Sequence, residues 1–111
     1  MNPFAYPLCN QTVTVYRPDG TRTVLQNCYY QFLDCPTEGV SDASFHRKFL
    51  LIAPGEKQRV FAGDKVFDGI GPENIDWDTF LPVNTPGLCQ VAYAQGWYWD
   101  GKHCHTEAGR K

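Results

Sequence analysis

His103-Cys104-His105 is the densest set of potential metal ligands in this 111-residue chain. In a strand, successive side chains alternate, so His103 and His105 share a face and Cys104 points away. A zinc ion would then need ligands from elsewhere, such as His46 or Cys35, to complete its tetrahedron. Strand geometry therefore favours histidines that face solvent or an interface, and no metal or other cofactor is expected. Nucleophilic catalysis would need a thiol and a base oriented by a third group beside an oxyanion hole. No local motif joins any of the five cysteines to one of the three histidines. Asp64, Asp68, Glu73, Asp76 and Asp78 could supply paired carboxylates or oxygen ligands for calcium. Asp64 and Asp68, however, each adjoin a glycine, where turn chemistry accounts for aspartate. No catalytic residue is expected, and the chain is not expected to be an enzyme.

One aromatic group has a different logic. Val91, Tyr93, Gln95, Trp97 and Trp99 alternate with Ala92, Ala94, Gly96 and Tyr98, the pattern of a strand. Trp97, Trp99 and Tyr93 could form a platform for a sugar ring or for unpaired bases, with Trp77 as a further binding tryptophan. A small barrel needs bulky filling, so this face is expected instead to point into the core. The glycines mark turns, and no phosphate-binding loop is present.

The elements that must position these groups follow from turn chemistry. Residues 1–11 read as an extended arm punctuated by proline. Thr12-Val13-Thr14-Val15-Tyr16-Arg17 is a strand rich in β-branched residues. Pro18-Asp19-Gly20 provides a three-residue hairpin loop, with Gly20 free to take the left-handed position. The return strand runs from Arg22 to Phe32. Residues 34–44 have no periodicity and read as a long loop. A strand over Phe45 to Ala53 ends at Pro54-Gly55, and Gly63-Asp64 turns into Lys65-Val66-Phe67. One short helix is expected near Glu73 to Phe80, with Pro72 in its first turn. Asp100-Gly101 is a dipeptide preferred in two-residue type I′ loops. Such a loop would place Trp97 opposite Cys104 and Tyr98 opposite His103. The domain is expected to span 12–107, with 108–111 a frayed tail. The fold class is mainly β: a small antiparallel barrel or sandwich of about six short strands with long loops.

Composition agrees with one folded domain. Hydrophobic residues make up 42% and charged residues 20% of the chain, which argues against disorder. The net charge of -2 leaves no basic stripe to neutralise a phosphate backbone. The longest apolar run, Phe49 to Ala53, is strand-sized, so no membrane span is expected. Cysteines in odd number and without CxxC spacing suit reduced, buried thiols.

The order of segments resembles small virion proteins of tailed phages and prophages. The resemblance is carried by Thr12-Val13-Thr14-Val15-Tyr16, then Val24-Leu25-Gln26-Asn27-Cys28-Tyr29-Tyr30. A polar loop, an apolar strand at Phe49 to Ala53, and Gly63-Asp64-Lys65-Val66-Phe67-Asp68-Gly69 follow. It covers roughly residues 12 to 69. Such proteins are minor capsid, head-closure (stopper) or head–tail connector subunits. The resemblance implies a homo-oligomeric ring at the portal–tail junction, bound to portal or adaptor and tail proteins. It would lie near packaged DNA without reading its sequence. The implied location is the virion neck, after synthesis in the host cytoplasm. Expected assembly contacts are Phe4 and Tyr6 in the arm, Cys35, Pro36, Glu38 and Asp42 in the long loop, and Asp76, Trp77 and Asp78.

Overall fold

The computed structural model describes residues 8–32, 48–82 and 84–110. The expected contacts Phe4, Tyr6, Cys35, Pro36, Glu38 and Asp42 lie outside these residues, as does His46. Among the described residues there are seven antiparallel strands: β1 (Gln11–Tyr16), β2 (Arg22–Phe32), β3 (Phe49–Pro54), β4 (Lys65–Asp68), β5 (Leu88–Gln90), β6 (Tyr93–Trp99) and β7 (Lys102–Arg110). Their lateral order is β5-β4-β1-β2-β3-β7-β6. The first and last strands of that order, β5 and β6, are separated in the chain only by Val91 and Ala92. The sheet must therefore curl until its ends meet, giving a half-barrel. At the seam, Val91 N–H donates to Asp64 O (2.8 Å) and Gly63 N–H donates to Val91 O (2.9 Å). The strand expected over Val91 to Trp99 thus begins at Tyr93 as β6, and β5, at the other end of the sheet, is a further strand.

β2 makes the second corner. Its first half pairs with β1 and its last four residues pair with β3. The switch falls where the β1–β2 register slips by one residue, and Asn27 there has φ of 58°. An extra residue bends a strand and increases its twist, and asparagine tolerates the left-handed region better than most side chains.

Both expected hairpin loops are present. Gly20 N–H donates to Arg17 O (3.0 Å), Gly20 has φ of 95°, and Thr21 N–H donates to the Asp19 carboxylate (2.9 Å). Hydrogen bonds from Thr21, from its side chain first and then from its N–H, hold the Asp19 carboxyl below its ordinary value. Asp100 and Gly101 both have positive φ, 53° and 76°, as a type I′ loop requires.

Side chains on the concave side form the main core: Val13, Val15, Leu25, Tyr30, Phe49, Leu51, Val60 and Val66 with Cys28 and Cys89. Burial raises the Cys28 thiol to about 12, with Cys9 adding to the rise. A second cluster lies on the convex side of the β1–β4–β5 region. There Tyr16, Phe80 and Leu88 pack with Phe67, Ile75 and Trp77, so residues 70–82 cover that side.

Two expectations are corrected. Residues 73–80 form turns rather than a helix. Asp76 O accepts from both Thr79 N–H and Phe80 N–H, and its carboxylate accepts from Asp78 N–H. Aspartate caps of this kind compete with helix propagation. The tail is not frayed: β7 runs to Arg110 between β3 and β6, and Ala108 is fully buried. A Cβ on Gly109 would collide with Phe49 O, so glycine there permits close backbone approach.

Candidate functional site: the outer face and the aromatic hairpin

Cross-strand register fixes which side chains share a face. Tyr30, Leu51, Ala108 and Ala94 form one row across β2, β3, β7 and β6, and the first three are buried. Residues one position away must point outward. The outward rows are Gln31–Leu50–Gly109–Tyr93, Tyr29–Ile52–Glu107–Gln95 and Pro54–His105–Trp97. Trp99 continues the β6 column beyond them.

The face expected to be core is therefore the outer one. Trp97 is 47% and Trp99 58% exposed, whereas Ala94 and Gly96 point inward. Crowding inside the curl explains the inversion. A Cβ on Gly96 would come within 2.8 Å of the His103 ring, so this side has room for little more than hydrogen. Trp97 stacks on His105 with centroids 6.1 Å apart and planes at 21°. Tyr98, on the inner side but at the end of the sheet, is 64% exposed and meets His103 edge-on at 5.2 Å.

His103-Cys104-His105 is not a regular alternating strand. The β6–β7 register slips between Trp97 and Tyr98, so Trp97 faces His105 and Tyr98 faces His103, with Cys104 as the extra residue. The expected Trp97–Cys104 pairing is thereby replaced, while Tyr98–His103 stands. His103 Nδ1 lies 2.8 Å from Gly55 O. A carbonyl only accepts, so Nδ1 carries a hydrogen. That Nε2 is buried with no hydrogen-bond partner among the described residues. Burial lowers the His105 imidazole from its ordinary value; Glu107 opposes that shift and His103 adds to it. Glu107 also accepts a hydrogen bond from Tyr93, whose hydroxyl is raised first by burial. Among the described residues, no group of three or more His, Cys, Asp or Glu side chains is placed to hold a metal ion. A groove of about 430 Å³ runs between residues 56–58 and the hairpin, lined by Glu56, Lys57, Tyr98, Lys102 and His103.

The acidic stretch is dispersed by structural duties. Asp64 accepts from Phe61 N–H (2.9 Å) and sits 3.6 Å from Arg17 Nε, yet burial still raises its carboxyl. Asp76 and Asp78 are exposed, and Trp77 between them is half-buried. Lys65, only 3% exposed, holds this segment. Its ammonium donates to Trp77 O (2.6 Å) and Phe80 O (2.7 Å) and lies 4.0 Å from the centroid of the Trp77 ring. Sequence reasoning missed Lys65, because nothing local to it announces a clamp on residues twelve and fifteen positions away.

These features define a small antiparallel β protein whose curled sheet is filled inside, covered by residues 70–82 on one outer side, and aromatic on the other. No protein-family model, curated protein or solved structure matches the chain. Among the described residues no helix is long and apolar enough to cross a membrane.

Proposed function

We propose that this chain is a structural subunit of a tailed-phage virion, a head-closure or connector protein that assembles as a ring at the portal–tail junction. The observation that carries the proposal is the partly exposed outer face of β2–β3–β7–β6, where Trp97 is 47% and Trp99 58% exposed. β3 reads Phe-Leu-Leu-Ile-Ala and is apolar on both sides, the composition of a strand buried on both faces. Leu50, Ile52, Trp97 and Trp99 are then surface that an assembly would cover. The resemblance over residues 12 to 69 supplies the kind of assembly. No step of this role calls for catalysis or a cofactor. Its neighbours are other copies of the chain, the portal or adaptor, and tail proteins, with packaged DNA nearby and no sequence readout. Residues 1–11, 34–44 and 70–87, the last with Asp76, Trp77 and Asp78, are its remaining contacts.

Quantitative mass spectrometry of purified particles from the organism encoding the chain tests this reading. A few copies per particle, on the scale of one or two rings, are expected. Absence from the particle discards it. Removing residues 1–8 is expected to leave a folded chain that no longer enters the particle; normal entry would eliminate the arm as a contact.

A second reading rests on Trp97 and Trp99 being exposed on one face with His105 beside them. Aromatic rings so placed can stack on sugars, making the chain a small carbohydrate- or ligand-binding module. A saturable change in tryptophan fluorescence during a glycan titration would favour it over the virion role.

A further inference from the structure

We propose that the groove between residues 55–58 and the β6–β7 hairpin binds a small phosphate monoester, with His103 as the buried group that meets the phosphate. The assembly reading makes no use of this groove, so the two stand or fall separately.

The walls of the groove are held in place before any ligand arrives. Gly55 N–H donates to Cys104 O (3.1 Å), His103 Nδ1–H donates to Gly55 O (2.8 Å), and Arg59 N–H donates to the Thr106 hydroxyl (3.1 Å). These three bonds pin residues 55–59 along β7. The facing wall is the end of the hairpin, where the tight Asp100-Gly101 loop sets the position of Lys102. The space between them, about 430 Å³, lies within the range of small-molecule sites.

The groove also contains an unmet hydrogen-bonding group. His103 is only 9% exposed, and its Nε2 has no hydrogen-bond partner among the described residues. A buried polar atom left in that state is costly, and folded proteins keep few of them. Beside it lie Gly96 and Tyr98: a Cβ on Gly96 would be 3.0 Å from Nε2 and 3.1 Å from Tyr98 Cε1. Tyr98 is 64% exposed and meets the imidazole edge-on, so its ring can turn aside without leaving a hole in the core. That turn opens Nε2 to the groove.

Charge selects the ligand. Lys57 and Lys102 line the groove from opposite walls, and both are exposed. Two lysines against Glu56 leave the lining net positive before His103 is counted. A carboxylate ligand only accepts, so it would meet Nε2 only on a protonated ring. A phosphate monoester has its second ionisation at about pH 6. It can therefore donate to a bare Nε2 or accept from Nε2–H, and its other oxygens accept from the two ammonium groups. Glu56 can accept from hydroxyls, which favours the ester of a sugar over free phosphate. A nucleic acid would need a row of cations, and this groove is a single short cleft.

Titration of the purified full chain with ribose 5-phosphate tests the proposal, read by calorimetry and by the imidazole nitrogen resonances. Saturable binding with a Kd below about 1 mM and a shift of His103 Nε2 are expected. His103→Asn keeps a donor for Gly55 O but removes Nε2, and is expected to weaken binding about tenfold. Lys57→Gln and Lys102→Gln, both at exposed positions, are each expected to weaken it several-fold with urea unfolding unchanged, which carries the test should His103→Asn impair folding. Ribose is expected not to bind, and inorganic phosphate to bind more weakly than the ester. Absence of saturable binding overturns the proposal, as does binding that ribose matches, that leaves Nε2 unmoved or that ignores both lysine variants. Equal affinity for inorganic phosphate overturns the ester and assigns the groove to free phosphate.

Discussion

The two outer sides of this sheet pose the same physical problem and receive different answers. Both carry aromatic side chains and a tryptophan beside a cation-forming residue. Around Tyr16, Phe67 and Leu88 the chain folds residues 70–82 back over the sheet and fastens them with Lys65. Around Leu50, Ile52 and Trp97 no comparable clamp exists among the described residues, and Trp97 rests on His105 with nearly half its surface open. A buried ammonium bonded to two carbonyls fixes one conformation, because leaving either carbonyl unpaired is costly. A flat ring on an imidazole fixes little and leaves the surface available.

The contrast is most strongly broken at Lys65. Lys65→Met keeps the aliphatic stem but removes the donor to Trp77 O and Phe80 O. It is expected to cost about 3 kcal/mol in urea unfolding, since hydrogen bonds to a charged group contribute roughly 1.5–3 kcal/mol each. It should also increase binding of an apolar dye as residues 70–82 loosen. Next comes the tryptophan pair. Trp77→Ala should cost about 2 kcal/mol, and Trp97→Ala no more than about 0.5 kcal/mol, the range of ordinary surface changes. Equal costs would erase the distinction between the two sides. Gly101→Ala probes the hairpin without touching either cluster: open space surrounds the position, so only the backbone at φ of 76° is strained. About 1 kcal/mol is expected from chemical denaturation.

The smallest effect is the pH response of His105. Its folded-state affinity for a proton is lowered, chiefly by burial, so the unfolded chain binds that proton more readily. Its contribution to stability is complete above the ordinary value of 6.5 and is lost as pH falls through it toward the folded value. Urea unfolding compared at neutral and mildly acidic pH should show a small loss of stability that His105→Gln removes.

Local chemistry was legible in the sequence, and long-range chemistry was not. The loops at Pro18-Asp19-Gly20 and Asp100-Gly101 are readable because each needs only its own residues to define φ. The β-rich class follows from alternation and turn spacing. Alternation in β6 shows that two faces exist but not which one is inside, and bulk pointed to the wrong one. Gly96 and Ala94 are the residues a tightly curled interior admits, so smallness was the better signal. The slip in β7 is set by its ladder with β6, and the pairing of Ala108 with Leu51 depends on β3, more than fifty residues earlier in the chain. The helix expected at 73–80 failed because Asp76 caps its own turn and Lys65 takes two of the carbonyls from outside.

The placement of β7 also bears on how the protein is made. β7 is the last of the seven strands to leave the ribosome, yet it lies between β3 and β6. From the synthesis of Phe49 until that of Arg110, the apolar strand β3 has one side of its backbone without its partner. At ordinary translation rates that interval lasts on the order of seconds. Nascent chains are most vulnerable to cross-pairing with one another in that window, and crowding on a shared messenger would lengthen the odds against a clean yield.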